Sequence, residues 1–328
     1  MGGKEPSALA NYVVRRLLEG IPVVFAVLVL NFLLIALYPG DPAQILAGQE
    51  ATPQYLQQIR IIYGLDRPIY ERFFDYLWAI FHGNLGYSFF FQEPVTSLIL
   101  QKLPATLMLL GTAMVIASLI GILMGVEAAR KPHSLRDGVV SAVSLLGYST
   151  PNFWLGQLAI LLFSVNLRWL PVAGMTTLTQ QLGGLAYVAD VLRHLVLPAS
   201  VLGVYQVALI AHLQRGSMLE VLRQNFILAL RSKGLSERSI VYKHALRNAI
   251  LPVLTVIAFD ISALLGGAVL VETVFDWPGI GRMVFDAIIA GDYPVITGTF
   301  VVVSIGVVMV NLVTDVIYAL VDPRIHYR

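Results

Sequence analysis

The sequence predicts an all-α integral membrane protein with six transmembrane helices. Mean hydropathy over its 328 residues is +0.75 and only 13% of them are charged, whereas about a quarter of the residues in a soluble domain carry charge. Crossing the hydrocarbon core takes roughly 20 helical residues, and runs of that length recur along the chain. Because backbone polar groups in lipid must be paired within the segment, each run is predicted to be helical.

The spans follow from long stretches that lack charged residues, apart from Asp260 in the fifth. The predicted spans are residues 20–40, 103–126, 138–167, 195–214, 250–271 and 293–314. Residues 1–19 are predicted to be a cytoplasmic N-terminal segment and residues 20–328 a single transmembrane domain. Arg15 and Arg16 before the first run also suit a signal peptide, but its length and the lack of a clear cleavage site favour a retained span.

The distribution of Lys and Arg gives the orientation. With both termini on one side of the membrane, that side holds 15 of the 22 Lys and Arg residues, and the positive side is cytoplasmic. The longest external segment, residues 42–102, is predicted to be a small helical cap. A later external loop, about 272–292, is predicted to be distinctly acidic because it carries four carboxylates and only Arg282 as a cation.

A basic loop, residues 215–249, lies on the predicted cytoplasmic side and continues to Pro252. Ser236 is predicted to cap a helix with Glu237 in its first turn, and Gly234 to end the preceding helix, about 217–232, with a positive φ. Apolar residues recur at helical spacing: Tyr242, Ala245, Leu246, Ala249, Ile250 and Val253. The opposite face is polar: Lys243, His244, Arg247 and Asn248.

This amphipathic loop has two interpretations. A basic amphipathic segment can lie on anionic lipid. However, a pair of helices with a glycine break, set between two spans, favours a protein partner on the cytoplasmic side.

Several kinds of chemistry are not indicated by the sequence. It has no phosphate-binding loop for ATP and no H-E-x-x-H motif, no cysteine, and six scattered histidines, so neither a metal site nor a catalytic residue is predicted, and no nucleic-acid partner is indicated. Ser149 and His212 near membrane depth make an intramembrane serine protease conceivable, but a hydroxyl bonded to its own helix backbone is the simpler interpretation.

Asp260 in the middle of the fifth span supports a rival function. Ionisable groups within the bilayer are functional candidates, and an ion-coupled carrier would use such a carboxylate. The alternative is a carboxylate that faces a water-filled pathway or bonds a neighbouring helix.

The cytoplasmic loop also resembles the signature loop of binding-protein-dependent ABC importer permeases, through Gly234, His244 and Leu251-Pro252. Seven further motifs resemble the peptide/nickel branch of that family, in the expected order: Pro39–Pro42, Gly83–Ser88, Leu103–Thr106, Ser149–Phe153, Leu170–Gly174, Val271–Arg282 and Asp322–Ile325. Residues Asn225 to Leu230 depart from the family's usual Asp-Tyr-x-Arg-Thr-Ala run, which suggests either a more apolar ATPase contact or a partner with a correspondingly altered groove.

The resemblance implies the type I ABC importer transmembrane fold in the inner membrane of a prokaryote. It implies a second permease, two ATPase subunits that carry ATP and Mg²⁺, and an external solute-binding protein, with no cofactor or enzymatic activity on this chain. The substrate implied is a di- or oligopeptide, with nickel, glutathione or a sugar as alternatives.

The resemblance also implies roles for particular residues. Those expected to couple the chain to the ATPase are Lys233, Gly234, Leu235, Glu237, His244, Arg247, Asn248 and Pro252. Those expected in the translocation pathway or at the binding protein are Asp260, Asp276, Trp277 and Arg282. For the loop at 272–292, a re-entrant aromatic anchor is the alternative.

Overall fold

The computed structural model describes residues 6–36, 52–62, 64, 66–177 and 183–321. Within these ranges, only the backbone is described for residues 6–13, 35, 55, 59, 62, 258–267 and 315–321. The long helices are α1 (Pro6–Ala36), α4 (Val95–Arg130), α7 (Gly184–Leu222), α11 (Leu251–Val274) and α13 (Tyr293–Val321). The shorter ones are α2 (Pro53–Ile62), α3 (Ile69–Phe81), α5 (Leu135–Ser149), α6 (Asn152–Ala159), α8 (Asn225–Ser232), α9 (Glu237–Ser239), α10 (Leu246–Ala249) and α12 (Ile280–Ala290). Strands β1 (Tyr87–Ser88) and β2 (Glu93–Pro94) form an antiparallel hairpin.

The chain forms two compact units, residues 1–103 with 283–328, and residues 104–282. In the first unit, α1 and α13 pack as an antiparallel pair. The Asn31 amide donates to the carbonyl of Thr297 at 3.4 Å, and Val308 fills the space beside Gly20. Residues later in α1 therefore contact residues earlier in α13.

Helix α3 lies along α1 through aromatic side chains. The Phe73 ring centroid is 5.1 Å from that of Phe32 and 6.4 Å from that of Phe25, and Tyr76 is 5.7 Å from Phe32. The described part of the segment predicted as an external cap thus contains helices, and one of them is held against the first predicted span. Residues 42–51 of that segment lie outside the described residues.

A buried carboxylate fixes the hairpin at the start of α13. The Ser88 hydroxyl donates to Asp292 Oδ2 at 2.5 Å, and the Phe90 N–H donates to the same oxygen at 3.2 Å. Asp292 is therefore a structural anchor in the first unit rather than an exposed loop charge.

In the second unit, small residues let α4 and α7 approach closely. A Cβ on Gly125 would lie 2.6 Å from the carbonyl oxygen of Ala211, and one on Gly203 would lie 3.2 Å from that of Ala113. Small residues play this part in membrane helix pairs because hydrophobic burial adds little between helices in lipid. The buried core beside this contact includes Leu109, Leu202 and Val271.

The third predicted span, residues 138–167, is not one unbroken helix. Helix α5 ends at Ser149, and α6 begins at Asn152 and continues as a π-helical turn from Ile160 to Asn166. The break falls at Thr150 and Pro151 because the residue before a proline is pushed out of the helical region. Thr150 is extended, at φ −95° and ψ 128°.

The other predicted spans coincide with helices, which mostly extend beyond the apolar runs. Among the described residues, four helical segments are long and apolar enough to cross a membrane: Val14–Leu34, Val95–Arg130, Gly184–Leu222 and Tyr293–Thr314. A fifth is formed if Glu237–Ala249 and Leu251–Ile257, which meet at 52°, are counted as one bent span. Residues 37–40 of the first predicted span lie outside the described ranges.

Candidate functional site

The loop at residues 215–249, predicted to be cytoplasmic, contains a sharp helical elbow at Gly234, as the sequence predicts. Gly234 has φ +77°, its N–H donates to the carbonyl of Arg231 at 2.9 Å, and the N–H of Leu235 donates to that of Leu230 at 3.3 Å. This pair of bonds is the Schellman ending of a helix, and it needs a residue that tolerates positive φ. Ser236 then caps the next helix by accepting from the Ser239 N–H, so both predicted signals are confirmed.

An ion pair spans the elbow. Arg231 Nε lies 2.7 Å from Glu237 Oε1, and the second guanidinium nitrogen lies 3.3 Å from Oε2. The guanidinium lowers the pKa of the Glu237 carboxyl, and the carboxylate raises the pKa of Arg231. Both side chains are exposed, so the pair adds little stability.

The apolar residues of the loop pack within this chain. The predicted helix at 217–232 is divided, because α7 ends at Leu222 and α8 begins at Asn225. Nevertheless, apolar residues from both parts pack on one core: Leu219, Leu222, Phe226 and Leu230. That core consists of Val126, Ala129, Met218, Val221, Ile227, Ile240, Val241, Ala245 and Ala249.

The apolar face of the loop is covered by the chain's own core at Ala245 and Ala249, so this face is not available to a partner. The outward surface of the loop is mainly polar. It also includes Leu228 on α8, which is 64% exposed. Of the residues predicted to couple to a partner, Leu235 packs on the core and His244 is half-buried. The others are exposed: Lys233, Gly234, Glu237, Arg247, Asn248 and Pro252.

His244 lies in a π-helical turn shortly before the fifth predicted span. Residues Ile240–Ala245 form this wider turn, and the Leu246 N–H donates to the carbonyl of Val241. Helix α11 starts at Leu251, and Pro252 lies in its first turn as predicted, where its missing N–H removes no helical bond. No sequence pattern indicated the π-helical turn, which is a form often found at functional sites.

The π-helical turn is tied to the end of α4. The Tyr242 hydroxyl donates to Glu127, Arg130 lies 2.8 Å from the same carboxylate, and the Arg130 guanidinium is 5.6 Å from the Tyr242 ring centroid. The Tyr242 hydrogen bond, and then Arg130, lower the pKa of Glu127, while the carboxylate raises the pKa of Tyr242. The loop therefore cannot move far without moving α4.

A second tie joins α5 to α7. Arg215 Nε lies 2.5 Å from Asp137 Oδ1 and its NH2 lies 2.9 Å from Oδ2, and the His133 N–H donates to the same carboxylate at 2.9 Å. These bonds lower the pKa of Asp137 to about 2. No sequence pattern predicted this partly buried pair, although Ser134 and Asp137 have the spacing of a capping box.

On the predicted external side, Glu272 at the end of α11 is fully buried. It accepts from the Thr106 hydroxyl at 2.7 Å and from the Arg282 N–H at 3.0 Å, and Thr106 Oγ1 accepts from the Ile280 N–H at 2.8 Å. A Cβ on Gly279 would overlap the carboxylate. Glu272 thus closes the loop between α11 and α12 against the start of the second predicted span.

The burial in this loop corrects two expectations. Trp277 is fully buried and donates through Nε1 to the carbonyl of Ala105 at 2.9 Å, so its side chain is not available to an external protein. The loop is also less acidic at its surface than its composition suggests, because Glu272 and Asp292 are buried. Asp276 is exposed, at φ +51°, and pairs with Arg282 at 2.5 Å. The side chain of Asp260 lies outside the described residues.

Two family models together match most of the chain. Residues 117–327 match the model described as binding-protein-dependent transport system inner membrane component. Residues 9–110 match the model for the N-terminal part of such a membrane component.

Curated relatives are similar over almost their whole length. The di/tripeptide transport system permease DppB of Pseudomonas aeruginosa is 43% identical, covering 98% of this chain and 100% of the relative. The glutathione transport system permease GsiC of Escherichia coli is 39% identical with the same coverage. The oligopeptide transport system permease AppB of Bacillus subtilis is 37% identical, covering 97% of this chain and 100% of the relative.

A solved structure shares the fold. The MetNI methionine ABC transporter, in inward-facing conformations, matches with a TM-score of 0.55 and 20% sequence identity. The match covers 69% of this chain and 96% of the MetNI chain.

Proposed function

Because the chain belongs to the family of binding-protein-dependent transport system inner membrane components, we propose that it is the permease subunit of an ATP-driven importer of di- or oligopeptides. The observation that supports the substrate class is the sequence identity of 37% to 43% with permeases named for di/tripeptides and oligopeptides. Glutathione, the cargo named for a third relative, is itself a tripeptide. The importer pairs this chain with a second permease, two ATPase subunits that bind ATP and Mg²⁺, and an external solute-binding protein.

In this proposal the chain crosses the inner membrane six times with both termini in the cytoplasm, and residues 20–328 form one transmembrane domain. Its third crossing is the broken pair α5 and α6, and its fifth is the bent approach to α11. The excess of Lys and Arg on one side supports this orientation.

The surface that meets the ATPase is the outward side of the elbow. It consists of the exposed part of α8 around Leu228, followed by Lys233, Gly234 and Glu237. His244, Arg247 and Asn248 continue it toward the membrane, where Pro252 starts α11. Leu228 supplies the apolar contact that the departure of Asn225–Leu230 from the family pattern suggests.

The packing behind this surface explains how movement reaches the spans. Ile227 on α8 and Ala249 on α10 share one close-packed core with Val126 at the end of α4 and Met218 at the end of α7. Close-packed interiors shift as units rather than deform gradually. The ties from Tyr242 to Glu127 and from Arg215 to Asp137 hold α4, α5 and α7 to the same body. A push on α8 is thus transmitted to several spans together.

Two roles proposed for other residues follow from exposure and position. Asp276 and Arg282 form an ion pair on the external loop, which suits contact with the binding protein. Asp260, in the middle of α11, lines the translocation pathway.

Reconstitution tests the proposal directly. The chain in proteoliposomes is expected to transport a labelled dipeptide only when the second permease, the ATPases, ATP and the binding protein are all present. Transport by the chain alone, driven by a proton gradient and abolished by Asp260→Asn, would instead establish an ion-coupled carrier. If the complete importer instead transports nickel or a sugar, and ATPase activity is stimulated without peptide, the proposed substrate class is wrong but the proposed importer is not.

A further inference from the structure

Helix α3 has an aromatic surface that no described part of the chain covers. Tyr70, Phe74, Trp78 and Phe81 follow helical spacing along one side, and their side chains are 61%, 67%, 69% and 79% exposed. The neighbouring side of the helix carries Phe73 and Tyr76 and packs on α1, as described above. Glu71 and Asp75 form the polar edge that borders the aromatic stripe on the exposed face, and Asp75 pairs with Arg67 at 3.1 Å.

Continuity with α1 indicates what covers this surface. Large apolar side chains on α1 are also exposed, among them Phe25, Leu30 and Leu34, and they belong to a segment long and apolar enough to cross the membrane. Since α3 packs directly on Phe25 and Phe32, its exposed aromatic residues extend a surface that already faces lipid. An aromatic patch of this kind facing water would be unusual for a soluble surface.

The depth of α3 follows from the antiparallel partner of α1. Asn31 is level with Thr297 through their hydrogen bond, and Thr297 lies four residues after the start of α13, about 6 Å along the helix. Tyr76 contacts Phe32, the residue next to Asn31. At Tyr76, helix α3 is therefore about one turn below the end of the α1–α13 pair that faces outward by the distribution of charge, and its contact between Phe73 and Phe25 lies deeper along α1.

We propose that α3 is an interfacial helix whose aromatic stripe lies at the boundary of headgroups and acyl chains in the outer leaflet, its partner being bilayer phospholipid. Amphipathic helices of this kind bury their apolar face at the boundary of headgroups and acyl chains. Tyr and Trp favour this zone because their rings are apolar and their polar atoms reach water. The helix ties the external segment to the membrane and supports the outer half of α1.

The chain contains no cysteine, so single cysteines report on α3 without background. Nitroxide labels are placed at Phe74→Cys and Trp78→Cys on the aromatic stripe, and at Glu71→Cys and Asp75→Cys on the polar edge as matched controls. The assembled transporter is studied in bilayer discs of phosphatidylethanolamine and phosphatidylglycerol. Collision rates are measured with oxygen, which concentrates in lipid, and with a water-soluble nickel chelate.

Oxygen collisions are expected to exceed nickel collisions at positions 74 and 78, with the reverse order at 71 and 75. Nickel collisions that dominate at all four positions would place the helix in water and overturn the proposal. Low rates with both reagents at 74 and 78 would show a protein contact, such as the second permease, and would overturn it equally. Both readouts are independent of transport activity.

Discussion

At the scale of single residues, the hydroxyl of Thr106 joins two backbone segments that are far apart in sequence. It donates to the buried Glu272 carboxylate and accepts from the Ile280 N–H. Thr106→Val preserves the shape and removes both bonds, so two buried polar groups lose a partner, at a cost of roughly 1–3 kcal/mol. Thermal unfolding in detergent is expected to occur at a lower temperature in this variant than in the wild type.

Thr106→Ser is the matched control, since it keeps the hydroxyl and loses only a methyl group. Its unfolding temperature is expected to stay close to that of the wild type. Equal stability of the Val and Ser variants would contradict the role assigned to the hydroxyl.

The ion pair of Arg215 and Asp137 leads to a prediction about how stability depends on pH. Bonds from Arg215 and from the His133 N–H hold the pKa of Asp137 at about 2, below its ordinary 3.8. A carboxyl with a lowered folded pKa stabilises the protein fully above its unfolded pKa and stops doing so as pH falls through the folded pKa. Arg215→Ala is therefore expected to lower the unfolding temperature near pH 7, and the gap to the wild type should narrow between about pH 4 and pH 2.

The control for that experiment is Arg223→Ala, since Arg223 is an exposed arginine in the same loop. It is expected to have little effect at either pH, as surface charges contribute little to stability. A gap for Arg215→Ala that is the same at pH 7 and at pH 2 would argue against the ion pair as its source.

At the scale of elements, the elbow at Gly234 depends on a backbone conformation that few residues adopt. Gly234→Ala forces a Cβ into the left-handed region at φ +77°, which costs roughly 1–2 kcal/mol. The space around Gly234 is open, so only the backbone is strained. We expect the variant to insert normally and to lose part of its ATP-driven uptake, because the angle between α8 and α9 relaxes.

Gly234→Asn separates strain from loss of glycine as such, since Asn tolerates the left-handed region better than Ala. Uptake per ATP hydrolysed is the measurement, and Asn should retain more coupling than Ala. If both variants lose the same amount of coupling, or if neither loses any, the elbow angle does not determine the coupling.

The elements also show where sequence reasoning succeeds and where it stops. The apolar runs predict the long helices because length and hydropathy alone decide membrane insertion, and Gly234 and Ser236 carry local signals that act within a few residues. The pair Thr150 and Pro151 is a local signal for a break, but the continuous apolar run around it predicts a single span. The burial of Trp277 and Glu272 depends on Ala105 and Thr106, more than 160 residues earlier, and no local pattern encodes such a contact. The π-helical turn at His244 left no signal either.

At the scale of the whole molecule, the broken helix pair α5 and α6 decides whether the chain crosses the membrane six times. Leu135 at the start of α5 and Leu185 at the start of α7 are 90% and 89% exposed, and the six-span topology places them on opposite sides. Because the chain has no cysteine, Leu135→Cys and Leu185→Cys can each be labelled with a membrane-impermeant maleimide. Leu228→Cys on α8 and Asp66→Cys before α3 are the matched cytoplasmic and external controls.

Label is expected to reach positions 135 and 228 only in inverted vesicles, and positions 66 and 185 only in right-side-out vesicles. One crossing between residues 135 and 185 then follows, although neither α5 nor α6 is long enough to span the bilayer by itself. Labelling of 135 and 185 from the same side would make α5 and α6 a re-entrant pair and reduce the number of crossings. It would also reverse the direction of α7, and the loop at residues 215–249 would lie on the side opposite to the one proposed for the ATPase.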